Sequence, residues 1–219
     1  MSNRDRQWST IMDNMTFRKL TREFYERDVL TVAPELVGKY LVHKAEEGTT
    51  IGKIVEVEAY MGASDAASHA YRNKRTPRTE IQFGPGGFAY IYLIYGMYYC
   101  LNVVTNKIGV PQVVLIRALD PTEGIALMKK RSACDVRQNL CNGPGKLCRA
   151  MGITKRHYGM DLCGEELCLV EGEPPEDTHI TTTPRINIDY AGEAMNYPWR
   201  YIISGNQCVS KSKLNPPSK

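Results

Sequence analysis

The segment Gly52 to His69, GKIVEVEAYMGASDAASH, concentrates residue types that move protons. A strand over Ile54 to Tyr60 places Glu56, Glu58 and Tyr60 on one face and Val55, Val57 and Ala59 on the other, because side chains alternate along a strand. A buried carboxylate is costly unless it is paired or at work, so one of these two glutamates is a candidate general base. The plainer reading of the same face is a solvated or ion-paired sheet edge. Asp65 and His69 follow at i, i+4 spacing, and with Glu58 they outline a metal cluster. The chain has four histidines (His43, His69, His157, His179), no HExxH and no CxxC pair, so no metal is expected and His69 reads as a hydrogen-bonded residue.

A second constellation is FAYIYLIYGMYYCLN, Phe88 to Asn102, with five tyrosines between Tyr90 and Tyr99. Tyrosine suits a wet pocket, where its ring stacks on a base and its hydroxyl hydrogen-bonds. Core packing accounts for some of these rings but not for Tyr95, which precedes Gly96 and Met97 between two strand-like runs. That position is a hairpin tip with no core to enter, so Tyr95, or Met97 beside it, is a candidate wedge for a base stack. The run RNKRTPR, Arg72 to Arg78, is a solvated loop or, near a pocket, a set of phosphate contacts through Arg75 and Arg78. Arg117, inside VVLIRAL, needs a partner such as an inward carboxylate or a phosphate. CNGPGKLC lacks P-loop spacing, yet a Gly/Pro loop opening a helix can hold one phosphate, with Lys146 alongside.

These residues need a sheet to hold them. Ile51 to Tyr60, Phe88 to Tyr95, Tyr98 to Thr105 and Val113 to Leu119 are rich in β-branched and aromatic residues and are separated by turn residues. Leu and Val at roughly helical spacing over Thr31 to His43 suggest a helix or strand leading into the sheet. Thr122, with its following Glu, predicts a capped helix to Arg131. The expected class is α+β: one domain with a curved, mostly antiparallel sheet flanked by helices. Residues 1–28 read as a partly mobile arm with a short helix from Phe17, 29–210 as the domain, Glu171 to Thr183 as a surface loop, and 211–219 as a flexible tail.

Of the 219 residues, 42% are hydrophobic and 24% charged, an ordinary balance for a globular chain. No apolar run reaches the ~20 residues of a membrane span, and the N-terminal residues lack a secretory pattern, so the expected location is the cytoplasm. Seven cysteines without a CxxC pair read as reduced thiols that mostly fill core space. A net charge of +4 favours a polyanionic partner without establishing one.

Taken in order, IVEVEAYMG, DAASH, TPRT, YIYLIYGMYYCLNVV, VLIRALDP, CNGPGKLC and AGEAMNYPWRY resemble the alkyladenine (3-methyladenine) DNA glycosylase family from about Leu36 to Tyr201. The resemblance implies a monomeric, cofactor-free and metal-free repair enzyme that flips alkylated or deaminated purines out of double-stranded DNA and hydrolyses the base–sugar bond. It makes Glu58 the base that activates water, with Arg117 holding water and carboxylate. It makes Tyr60, His69 and Tyr92 the base pocket, Asn102 the residue that clashes with the amino group of guanine, and Tyr95 the wedge. In a bacterium the protein would lie at the nucleoid. The rival readings are a metal-dependent nuclease using Glu56, Glu58, Asp65 and His69, and a non-catalytic DNA- or RNA-binding module. The run Val104 to Gln112 is longer than the family pattern.

Overall fold

The computed structural model describes residues 18–172 and 180–216. Eight strands form the sheet: β1 (Tyr40–Ala45), β2 (Gly48–Tyr60), β3 (Ala89–Ile94), β4 (Tyr98–Thr105), β5 (Gln112–Glu123), β6 (Leu167–Val170), β7 (Ile180–Thr183) and β8 (Arg200–Ile203). All pairings are antiparallel, in the order β3-β4-β5-β2-β1-β6. The long strand β2 pairs with β5 along one edge and divides the other between β1, at Gly48 to Lys53, and β8, at Glu56 to Glu58. The sheet curls into a half-barrel within a single α+β domain, as the strand and helix patterns predict.

Alternation sorts the side chains. Val55, Val57 and Ala59 of β2, Ala89 and Ile91 of β3, Leu101 and Val103 of β4, and Val114, Ile116 and Ala118 of β5 enter one apolar cluster. The apolar faces of α2 (Val29–Leu36) and α4 (Pro144–Met151) pack into the same cluster. The opposite face of β2 to β5 keeps its glutamates, tyrosines and Arg117. One pattern of period two therefore specifies both a dry core and a polar pocket wall.

The structure differs from the sequence expectations at several points. Leu20 and Tyr25, within the expected arm, are buried in the core, and the N-terminal helix is one turn, α1 (Arg22–Tyr25). Phe17 and the preceding arm lie outside the described residues. Thr122 does not cap the next helix. It is the penultimate residue of β5, its hydroxyl donating to the Ile51 carbonyl, and α3 (Ile125–Ser132) starts after Gly124. Gly124 has φ +69°, and a Cβ there would meet the Thr49 carbonyl oxygen at 2.3 Å, so glycine is required. The tail is tied down at Asn215, which accepts from Arg200 at 2.8 Å and donates to the Ser210 carbonyl at 2.9 Å. Within the expected surface loop, Ile180 to Thr183 form β7, while 173–179 and 217–219 lie outside the described residues.

Candidate active site

The polar sheet face opens into a pocket of about 580 Å³. Its wall follows the strand period: Tyr90, Tyr92 and Ile94 from β3, Tyr98, Cys100 and Asn102 from β4, Val113, Leu115 and Arg117 from β5, and Tyr60 ending β2. His69 and Arg78 close one side, the first turn of α4 and the 186–190 segment the other. Sequence-separated residues Tyr60, His69, Tyr92, Asn102 and Arg117 thus meet around one space.

Glu56 and Glu58 lie behind this wall, both fully buried. Glu58 Oε2 accepts from the Tyr60 hydroxyl at 2.8 Å and Arg117 at 3.3 Å, and Oε1 from the Ile186 backbone N–H at 2.7 Å. A carboxylate offers about four acceptor positions, so one on Oε1 remains. Glu56 accepts from Arg117, Arg200 and the Ser210 hydroxyl on Oε1 and from the Ser210 N–H on Oε2, at 2.7 to 2.8 Å. Burial alone would raise the Glu56 carboxyl pKa, but Arg117, Arg200 and Ser210 outweigh it and the net shift is downward.

Arg117 follows Val113 and Leu115 on the polar face of β5, and the ladder is irregular beside it. Val57 pairs with Ile116 and Glu56 with Ala118, so Arg117 has no partner across the ladder and is the extra residue of a bulge on β5. Its guanidinium donates to both carboxylates. Burial works against the cation, yet Glu58 and Glu56 more than offset it and raise the Arg117 pKa.

The rings are held from behind. Arg185 sits 4.7 Å from the Tyr60 ring centroid and 5.0 Å from that of Trp199, anchored to Asp65 at 2.5 and 2.9 Å. Asp65 also accepts from the N–H groups of Met61 and Ala67, so it is a structural anchor. His69 packs edge-on to Tyr92 at 4.7 Å between centroids, and its Nδ1 lies 2.8 Å from the Tyr90 hydroxyl. Burial, with Arg78 and Lys74, lowers the His69 pKa to about 4, so the imidazole is neutral at neutral pH. Burial raises the phenol pKa of Tyr60 and Tyr92 and keeps both protonated. Asn102 is fixed by its amide donating to the Tyr90 carbonyl at 3.1 Å.

The rim is different. Tyr95 and Met97 are 73% and 63% exposed at the β3–β4 tip. Tyr95 and Gly96 have φ of 53° and 69°, and the Met97 N–H closes the turn onto Ile94. A tyrosine in the left-handed region costs roughly 1–2 kcal/mol, a strain of the kind stored at functional sites. Arg78 is not pointed outward: its guanidinium lies 4.9 Å from the Tyr92 ring centroid and 3.1 Å from His69 Nε2. Arg75 makes a two-pronged bond to Glu80 at 2.8 and 2.6 Å. Lys146, on the first turn of α4, donates to Asn142.

Sequence spacing missed Arg200, Ser210, Arg185 and Ile186, which reach the strand from over a hundred residues away. It also missed Gln82, a buried pocket residue whose amide oxygen and nitrogen have no hydrogen-bond partner among the described residues. Gln82 follows a basic loop, and only its burial marks it. Glu56, Glu58, Asp65 and His69 do not form a metal-ligating group among the described residues; the one such group is His43, His157 and Glu166, outside the pocket. All seven cysteines are free thiols, five of them buried. No helix among the described residues is long and apolar enough to cross a membrane.

The family model described as methylpurine-DNA glycosylase matches residues 23–207. A protein of Clostridium acetobutylicum named "Putative 3-methyladenine DNA glycosylase" is 51% identical over 203 residues, covering 89% of this chain and 98% of its own length. Similarly named proteins of Alkaliphilus oremlandii and Bacillus cytotoxicus are 51% and 50% identical, covering 88% and 86% of this chain and 99% and 97% of their own. A buried carboxylate behind a tyrosine-lined pocket and a match of this length lead to one conclusion: the chain belongs to the methylpurine-DNA glycosylase family.

Proposed function

We propose that this DNA glycosylase is monofunctional, flips alkylated or deaminated purines such as 3-methyladenine, 7-methylguanine, hypoxanthine and ethenoadenine out of double-stranded DNA, and hydrolyses their glycosidic bond with a water activated by Glu58. The observation that carries this reading is the free acceptor position on Glu58 Oε1, beside the N–H of the pocket residue Ile186. Water bound there loses a proton to Glu58 as its oxygen bonds to C1′. The C1′–N bond breaks, the electron pair leaves with the base, and an abasic sugar remains. Arg117 holds carboxylate and water in register.

A base must leave the stack before this bond is accessible, at a cost of a few kcal/mol that is smaller at a weakened pair. Tyr95 fills the vacated space, and its exposure and strained turn support that role, with Met97 beside it. Tyr60, Tyr92 and His69 receive the base; a cationic lesion on tyrosine faces gains roughly 0.5–2 kcal/mol. Asn102, unable to rotate away from Tyr90, opposes the amino group of guanine. Arg78 occupies the Tyr92 face in the free protein, so it must swing out as the base enters. There it meets a backbone phosphate, together with Lys146; Arg75 joins them only by leaving Glu80. The protein acts as a monomer, in the cytoplasm and on the nucleoid of a bacterium.

The test is base release from duplexes carrying each lesion, under single turnover, with and without EDTA, followed by borohydride. Free base and an intact abasic strand are expected with no trapped adduct. Lys146 lines the pocket rim, so a trapped complex would point to it and to a lyase. No release from any lesion would leave only a DNA-binding module.

A further inference from the structure

On the side of the sheet away from the pocket, two imidazoles and a carboxylate converge that the glycosylase reading does not use. His43 lies on β1, His157 ends the turn Lys155–His157, and Glu166 immediately precedes β6. The two Nε2 atoms are 3.2 Å apart, and Glu166 Oε1 lies 3.6 Å from His157 Nε2 and 3.8 Å from His43 Nε2. The centre of a triangle with these sides is about 2.1 Å from each corner, the length of a zinc bond to imidazole nitrogen or carboxylate oxygen.

The outer contacts suit the same purpose. For both Nε2 atoms to face an ion, each Nδ1 must carry its proton and donate it. His43 Nδ1 lies 2.6 Å from the Met151 carbonyl; His157 Nδ1 lies 3.1 Å from the Thr154 carbonyl and 3.0 Å from the Thr154 N–H, so an ion would select the His157 tautomer that donates to the carbonyl. Such second contacts orient ligating histidines. A hydrogen bond between the two Nε2 atoms explains one side of the triangle without an ion. It leaves Glu166 Oε1 buried with no aligned hydrogen-bond donor, although the Arg156 guanidinium is 2.7 Å away. Both histidine side chains are buried, while that of Glu166 is 38% exposed, which provides an entry path and room for a water as fourth ligand.

We propose that His43, His157 and Glu166 form a structural site for a divalent transition metal of the zinc class. The ion ties β1, the His157 turn and the start of β6 together. It also fixes the C-terminal end of α4 through Met151, whereas the first turn of α4 lines the pocket. None of the three ligands touches the pocket, so the ion stabilises the fold and takes no part in base release.

The test uses full-length protein stripped with chelator and titrated with Co²⁺ and then Zn²⁺. One equivalent of cobalt should give the visible d–d absorption of a tetrahedral site without the near-ultraviolet thiolate band that cysteine binding would add. Zinc should raise Tm until one equivalent is bound, while the rate of base release from lesion DNA stays unchanged. Glu166→Gln, at a partly exposed position, and His157→Gln should each weaken binding at least about tenfold and remove the Tm rise. If His157→Gln fails to fold, Glu166→Gln carries the test, its fold checked by circular dichroism without metal. A wild-type protein with no tetrahedral band, a thiolate band, or undiminished binding by Glu166→Gln would overturn the site.

Discussion

Glu56 and Glu58 are two residues apart on one strand, share a face, and share Arg117, yet their surroundings do different things. Glu56 takes four donors, from β5, from β8 and from the tail at Ser210, three of them on Oε1, as many as a carboxylate accepts in all. All four are protein groups, so the carboxylate serves as a clamp on the C-terminal segment. Glu58 has Tyr60, Arg117 and Ile186, and one acceptor position to spare. Two equally buried carboxylates therefore differ in role through unfilled hydrogen-bonding capacity, not through burial, and burial is the property that a strand pattern reports.

The largest loss of stability should come from the filled carboxylate. Glu56→Gln removes the charge that pairs Arg117 and Arg200 and turns an amide donor toward groups that themselves donate. Breaking a buried pair in this way costs about 3–5 kcal/mol, read as a fall in urea midpoint. Glu58→Gln should cost clearly less, since Arg117 keeps Glu56 and the Ile186 N–H keeps an oxygen. Equal losses from the two variants would erase the distinction.

A smaller effect is expected at the rim. Tyr95→Ser removes the ring proposed to fill the vacated stack and keeps the Cβ that strains the backbone at φ 53°. Single-turnover base release from paired hypoxanthine should fall roughly tenfold, with less effect at a mismatched site, where extrusion costs less. Thermal stability should stay the same, since the ring is 73% exposed. A variant that cleaves paired hypoxanthine like wild type would make Tyr95 an ordinary surface ring and turn attention to Met97.

The smallest effect concerns His69, beside Tyr92. Its pKa, lowered to about 4 mainly by burial and further by Arg78 and Lys74, lies below the ordinary 6.5. The unfolded chain therefore binds its proton first as pH falls. The contribution of His69 to stability is complete above about pH 6.5 and is lost as pH drops toward 4. Its NMR titration midpoint should lie near 4 and move upward in Arg78→Ala. A midpoint near 6.5 would mean that the pocket is wetter than its packing indicates.

The sheet and its two faces are legible in the sequence because alternation is a local property, and IVEVEAY already separates Val55 and Val57 from Glu56 and Glu58. The tip at Tyr95 is legible from Gly96. What alternation cannot carry is aim. Alternation puts Arg117 on the glutamate face, but no residue in VVLIRAL announces the bulge beside it, and Arg185, Arg200 and Ser210 arrive from the far end of the chain. Asp65 looked like part of a metal cluster until Arg185 occupied it. His43 and His157, 114 residues apart, have no spacing signature, so their meeting depends on the path of the chain. Helix α3 starts where Gly124 can adopt positive φ, which the backbone imposes and a nearby Thr-Glu pair imitates.

The central claim is that Glu58 acts on water and not on the duplex, and following both events in one experiment tests it most directly. A 2-aminopurine placed beside the lesion reports unstacking, and quenched samples from the same reaction report free base. Glu58→Gln should unstack the lesion with wild-type amplitude and bind the duplex nearly as tightly, while base release falls by ~10²–10⁴, the usual range for losing a general base. Base release by Glu58→Gln at the wild-type rate would contradict the account, as would a variant that loses unstacking and release together.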